Sequence, residues 1–207
     1  MKTIRTILAV MTMLFAMQAQ ADVVAGKDYQ LLNPPQPVSG GTKIEVLEFF
    51  FYECPHCAHL YGPLAAWEKT MPKDVVLTFV PVIFRETSEP MARTYYALEA
   101  LGKIHSLHGK LFTAIHEQNI DLSDEAKITA YVTKQGVDGV KFRAAYNSFA
   151  LQSKIANSNY LVQSYGIRGT PTIAVNGKYL ITGLQPEETV RVLGEVIKLA
   201  RKERSKR

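Results

Sequence analysis

Cys54 and Cys57 are the only cysteines in the chain, and they stand in one tetrapeptide, Cys54-Pro55-His56-Cys57. A disulfide between them would close a very short loop and constrain the unfolded chain little. Their use is therefore chemical: a pair that passes between dithiol and disulfide. Thiolate, not thiol, performs that exchange, so a setting that lowers a thiol pKa makes it both reactive and a good leaving group. A helix start supplies such a setting, through unpaired backbone N–H groups and a partial positive charge. Cys54 is read at the exposed start of a helix and Cys57 one turn further in. His56, between them, is read as lending positive charge or a hydrogen bond to the Cys54 sulfur.

Two other chemistries of cysteine and histidine fit poorly. Haem attachment needs His directly after the second cysteine, where this chain has Ala58. A tetrahedral zinc site needs about four converging ligands. His56 and His59 cannot easily converge with the two sulfurs, and His105, His108 and His116 are distant in sequence. No metal and no bound cofactor is expected, because the cysteine pair is itself a redox centre.

The elements around the pair support this reading. Lys43 to Tyr52 (KIEVLEFFFY) is a nearly unbroken apolar run that suits a central strand covered on both faces. Glu48 interrupts it. A carboxyl there is desolvated, its pKa should rise, and it could take and pass the Cys57 proton. A strand-end acid that reaches solvent or pairs with a lysine is the competing reading. Cys54 to Lys69 reads as a helix with Leu60, Leu64 and Trp67 on one side and Pro63 as a kink. Val75 to Phe84 reads as a second core strand, parallel to the first across the helix.

From about Glu86 to Ser158 the pattern is helical throughout, with helices read at Ser88 to Ala100, Lys103 to Glu117, Ser123 to Gly136, Asp138 to Ser148 and Leu151 to Tyr165. Strands return at Thr172 to Val175 and Lys178 to Ile181, joined by the hairpin dipeptide Asn176-Gly177. Pro186 to Lys202 closes the chain as a helix. The fold class is α/β, with a split strand-bearing domain and an all-helical insertion. Pro171, just before the strand at Thr172, is tolerated at a strand start and could follow a cis peptide.

The N-terminus has the order of a secretory signal peptide. Lys2 and Arg5 precede the apolar run Ile7 to Met17, and Ala19-Gln20-Ala21 offers small residues for cleavage after Ala21. The run is shorter than the roughly 20 residues that span a bilayer, so a soluble exported protein is expected. The formal charge is +5, of which Lys2 and Arg5 supply two and the C-terminal tail much of the rest. Cations at a helix C-terminus suit its dipole, and an exported chain rarely meets nucleic acid, so no nucleic-acid partner is expected.

In these residues the mature chain resembles the DsbA thiol:disulfide interchange proteins of the bacterial periplasm. The resemblance is carried by FFFYECPHC at the end of an apolar strand, the helix after it, the helical insert, and Gly169-Thr170-Pro171-Thr172 followed by Ile173 to Tyr179. It implies a thioredoxin-like fold over 22–86 and 159–207, with the insertion at 87–158 and the signal peptide at 1–21. It implies that Cys54 exchanges with substrate, that Cys57 resolves the mixed disulfide, and that Pro171 is a cis-proline which, with Thr170, holds an extended substrate segment. Pro55 and Glu48 match supporting positions, Glu48 the family's buried acid.

The sequence departs from some enteric members in two places. They carry a lysine near the buried acid, on the strand corresponding to Val75–Phe84, which has none here. They carry Val where this chain has Thr170, a residue also found there in periplasmic isomerases. The resemblance implies an oxidase of reduced, newly exported polypeptides, reoxidised by a quinone-linked membrane partner of the DsbB type and acting as a monomer. An isomerase or reductase on the same fold, and a binding protein with an inert disulfide, are the alternatives. About twenty residues separate Asp22 from the first core strand, which leaves no room for the extra N-terminal domain through which known isomerases dimerise.

Overall fold

The computed structural model describes residues 22–205. The expected signal peptide at 1–21 lies outside the described residues. Five strands form one mixed sheet in the order β1-β5-β4-β2-β3. β1 is Gln30–Leu31, β2 Ile44–Phe50, β3 Val75–Pro81, β4 Thr172–Val175 and β5 Tyr179–Thr182. β2 pairs parallel with β3 and antiparallel with β4. This central place explains its sequence: all seven residues are buried, and both neighbours take its backbone bonds.

Among the described residues seven α-helices pack with the sheet. α1 is Pro55–Glu68, α2 Glu89–Ala100, α3 Ile104–His116, α4 Glu125–Lys134, α5 Gly139–Tyr146, α6 Phe149–Ser164 and α7 Pro186–Arg204. α1 runs continuously through Pro63. α1 and α7 cover one sheet face, where Leu60 and Leu64 meet Val46, Ile173, Val192 and Val196. The end of α6 covers the other, with Tyr165 against Leu47 and Phe49.

α2 to α6 follow β3 without an intervening strand among the described residues. Their core is continuous with the sheet's end: Phe50, Tyr52, Cys54 and Cys57 cluster with Met91, Tyr95, Leu111, Phe112 and Phe142. α6 spans the position between 158 and 159, where the sequence reading places the end of the helical insertion.

Two glycines allow close approaches that no other residue would permit. Gly109 of α3 lies against the Tyr61 ring of α1, and a Cβ there would fall 2.5 Å from that ring. Gly177 has φ +67° in the β4–β5 hairpin, beside Asn176 at φ 51°, and a Cβ there would sit 2.1 Å from the Gln36 carbonyl oxygen. The hairpin is thereby pressed onto the Pro-rich segment that precedes β2.

Candidate redox site

β2 ends at Phe50, and four residues later Cys54 caps α1. Pro55 is the first helical residue, where its missing N–H costs nothing and its fixed φ suits the helix. Serine, threonine or aspartate usually provides the side-chain acceptor at such a start; here a sulfur does so. The Cys57 amide donates to Cys54 Sγ at 3.4 Å. The Cys54 thiol in turn donates to the Thr170 carbonyl oxygen at 3.4 Å. Both cysteines are free thiols in this structure. Cys54 is 5 % exposed and Cys57 is fully covered.

The two thiols are pushed apart in acidity. Hydrogen bonding from the Cys57 thiol, helped by the amides of Cys57 and His56, holds the Cys54 pKa at about 5, against the opposing effect of burial. Burial, then hydrogen bonding to Cys54, raises the Cys57 pKa. One member of the pair is thus a thiolate at neutral pH and the other a thiol. The absorbance of the reduced protein near 240 nm, followed from pH 3 to pH 9, should show one thiolate titrating with a midpoint near 5. A midpoint at the ordinary cysteine value, about 8.5, would contradict this geometry.

Thr170 and Pro171 lie directly against the pair, and the peptide between them is cis. Beside them runs a groove of about 320 Å³, lined by His56, Leu60, Thr170, Pro171, Leu184 and Pro186. His56 contributes its amide to the Cys54 sulfur, while its side chain is exposed. Glu48 stands deeper on β2, opposite Phe79 of β3 and Ile173 of β4. It is 3 % exposed. Burial, then the charges of Glu68 and Cys54, pushes its pKa up to about 8. The residue opposite it on β3 is apolar, so no cation from that strand offsets the burial.

Sequence reasoning missed how the segment before Cys54 is held. The Tyr52 hydroxyl is hydrogen-bonded to His108 Nδ1 at 2.7 Å, and His116 Nε2 lies 2.7 Å from the Tyr52 carbonyl oxygen. Both histidines belong to α3. The available signal was two histidines eight residues apart on one helix, which place their side chains on neighbouring faces. They do not join the cysteines as ligands. Among the described residues no three His, Cys, Asp or Glu groups are placed to hold a metal ion.

A family model for the DSBA-like thioredoxin domain matches residues 64–193. The thiol:disulfide interchange protein DsbA of Bordetella pertussis is 38% identical over 195 residues, 92% of each chain. This chain belongs to the DsbA family. The DsbA of Pseudomonas aeruginosa PAO1 is 36% identical over 202 residues, 96% of each chain. The crystal structure of P. aeruginosa DsbA superposes with a TM-score of 0.84 at 33% identity, covering 88% of this chain and 97% of that one. The DsbA oxidoreductase of Xylella fastidiosa gives 0.82 at 33% identity, covering 87% and 98%. The thioredoxin-like architecture expected from the sequence is therefore the observed one, and the chain is a thiol–disulfide oxidoreductase of the DsbA type. The family model begins at Leu64, inside α1, whereas the match to P. aeruginosa DsbA spans nearly the whole chain.

Proposed function

We propose that this chain is a periplasmic dithiol oxidase that donates a Cys54–Cys57 disulfide to newly exported proteins. The observation that carries the reading is the split in acidity, with Cys54 pulled down at a helix start and Cys57 pushed up by burial. A disulfide is more oxidising the more its reduced form is stabilised. A Cys54 thiolate held by a helix start and by Cys57 stabilises the reduced form.

In the oxidised protein a substrate thiolate attacks Cys54 Sγ. The Cys54–Cys57 bond breaks, and Cys57 leaves with the electron pair and takes a proton. Glu48 supplies that proton in this reading, since it is buried and protonated near neutral pH. A second substrate thiolate then attacks the substrate sulfur of the mixed disulfide, and Cys54 leaves as its stabilised thiolate. The substrate loses two electrons and two protons, and the pair gains two electrons. An extended substrate segment lies against Thr170 and cis-Pro171 in the adjoining groove. Pro55 holds the helix start, and the exposed His56 side chain meets the incoming polypeptide. A quinone-linked membrane oxidase of the DsbB type removes the two electrons again. The protein works as a monomer after a signal peptide at 1–21 has been removed, with residues 22–86 and 159–207 forming the redox domain and 87–158 the insertion.

The test is the redox equilibrium of Asp22–Arg207 against glutathione buffers, read by thiol alkylation. A potential well above the roughly −270 mV of thioredoxins is expected. A value as low as theirs would make the chain a reductase and overturn the oxidase reading.

A further inference from the structure

The link from β2 to α1 is a tight turn that ends on Cys54. The Cys54 amide donates to the Phe51 carbonyl oxygen at 3.1 Å, which makes Tyr52 and Glu53 the two central residues of the turn. Backbone donors serve its neighbours: the Phe50 carbonyl accepts from the Val82 amide at 2.7 Å, and the Cys54 carbonyl from the Ala58 amide at 3.1 Å. The Tyr52 carbonyl accepts from a side chain instead, His116 Nε2 at 2.7 Å. A carbonyl can only accept, so this nitrogen carries a proton. The imidazole is held in place by Phe112, one turn earlier on α3. The two rings stack at 6.4 Å and 28°, and Phe112 also packs on the Tyr52 ring at 4.9 Å.

The Tyr52 carbonyl belongs to the central peptide of the turn. That peptide is the plane that turns over when one turn type becomes another, and in the reversed form the following residue needs a positive φ. Among the described residues the non-glycine positions with positive φ are Asn119 and Asn176, so Glu53 keeps the unreversed form. Tyr52 is 1 % exposed. A buried carbonyl left without a donor is costly. Loss of the imidazole would therefore favour rotation of this peptide toward another donor, and Cys54 follows directly after Glu53. Charge is a second route to the same turn. Burial raises the Glu53 pKa, and its own amide, then the charges of Arg85 and His116, oppose the rise.

We propose that His116 is a positioning residue for Cys54: its Nε2–H fixes the Tyr52–Glu53 peptide, and with it the place of the Cys54 sulfur, 3.4 Å from the Cys57 amide nitrogen. This role rests on the reading of Cys54 as the sulfur that exchanges with substrate. His116 touches neither sulfur nor substrate in it and acts through the turn alone. A sulfur displaced from the helix start loses part of the hydrogen bonding that favours its thiolate. The reduced form is then less stabilised, and the disulfide becomes less oxidising.

The test compares Asp22–Arg207 with His116→Gln and His116→Asn. The Gln amide nitrogen stands as many bonds from Cβ as the imidazole Nε2, whereas the Asn amide nitrogen stands only as far as Nδ1. Neither side chain is charged, and only Gln can reach the Tyr52 carbonyl. His116→Asn should raise the Cys54 midpoint, read by thiolate absorbance near 240 nm, by about half a unit to one unit. It should lower the potential against glutathione by about 15 to 30 mV, since tenfold in a two-electron equilibrium is about 30 mV. His116→Gln should keep most of the wild-type value in both. Urea unfolding of each variant reads stability separately. Lost stability with an unchanged midpoint and potential in His116→Asn would make His116 a packing residue and overturn the proposal. Equal shifts in the two variants would mean that the histidine acts by charge, and would overturn it too. Should His116→Asn not fold, the imidazole ¹⁵N shifts of the unaltered chain decide: a proton on His116 Nε2 is expected, and a bare Nε2 would sink the idea. The wild-type potential tests the oxidase reading and the differences among variants test this role, so the two can fail separately.

Discussion

Replacing Glu48 by Gln should make the protein more stable at pH 8 by on the order of 3 to 4 kcal/mol, and the gain should vanish in acid. Each pKa unit separating folded from unfolded protein is worth about 1.4 kcal/mol. The Glu48 carboxyl titrates at about 8 in the fold against 4.5 when free, because burial outweighs everything else acting on it. The folded state therefore holds a proton that the unfolded chain has released. Between pH 4.5 and pH 8 wild-type stability falls with rising pH on account of this group, and above pH 8 the loss is complete. Gln keeps the shape and cannot ionise, so it removes that slope. Its amide must find partners at a 3 %-exposed position, which could cost 1 kcal/mol or more at every pH. The decisive quantity is thus the slope of the difference between urea-unfolding free energies measured from pH 4 to pH 9. A difference that does not change with pH would mean that Glu48 is ionised throughout, and would remove it as the proton donor to Cys57.

The second large effect concerns Cys57. A Cys57→Ser variant should attack, through its Cys54 thiolate, a substrate peptide whose cysteine is already joined to a small thiol in a disulfide, release that small thiol, and hold the resulting mixed disulfide. Serine keeps a hydrogen-bond donor beside the Cys54 sulfur, the leading cause of its low pKa, so the nucleophile stays activated. The resolving thiol is gone. Net oxidation of a dithiol substrate should fall at least about a thousandfold, because no intramolecular disulfide can form and the covalent step is lost. Cys54→Ser should lose the same activity and trap nothing, since Cys57 has no exposed surface for an incoming thiolate. Mass spectrometry of the quenched mixtures distinguishes the two. Retention of appreciable disulfide shuffling by Cys57→Ser on a scrambled protein would favour an isomerase over an oxidase. Equal trapping by both variants would mean that Cys57 is reachable, contrary to its burial.

Both variants test residues that the sequence already singled out, and the reason is local. A cysteine pair after an apolar strand and before a helix leaves little freedom in where the sulfurs lie, and α1 starts where the tetrapeptide placed it. The strand Thr172–Val175 was legible to the residue, because Pro171 and Asn176-Gly177 bound it on both sides. Val75–Phe84 was read three residues too long: β3 stops at Pro81, because β2 ends at Phe50, whose carbonyl takes the Val82 amide as the last bond between them. Gln30–Leu31 escaped notice because two residues carry no periodicity; only their pairing with β5 makes them a strand. The contacts of Tyr52 with His108 and His116 were illegible for a different reason. They join residues 56 and 64 positions apart, and only the packing of α3 on the strand end brings them together. Pro63 was expected to bend α1, yet the helix continues, held between the sheet and the neighbouring helices.

The cysteines share one apolar cluster with α2 to α5, so the redox pair and the helices between β3 and β4 cannot be separated without cost. Removing those helices would uncover Phe50, Tyr52 and Cys57 to water and release the histidine ties on Tyr52. A shortened chain carrying only the strands, α1 and α7 would therefore not be a smaller working enzyme. It would melt as a sheet whose catalytic end lies open, and the two sulfurs would lose the difference in surroundings that sets them apart. The helices are thus a structural part of the reactive centre, and the chain should denature in a single cooperative transition.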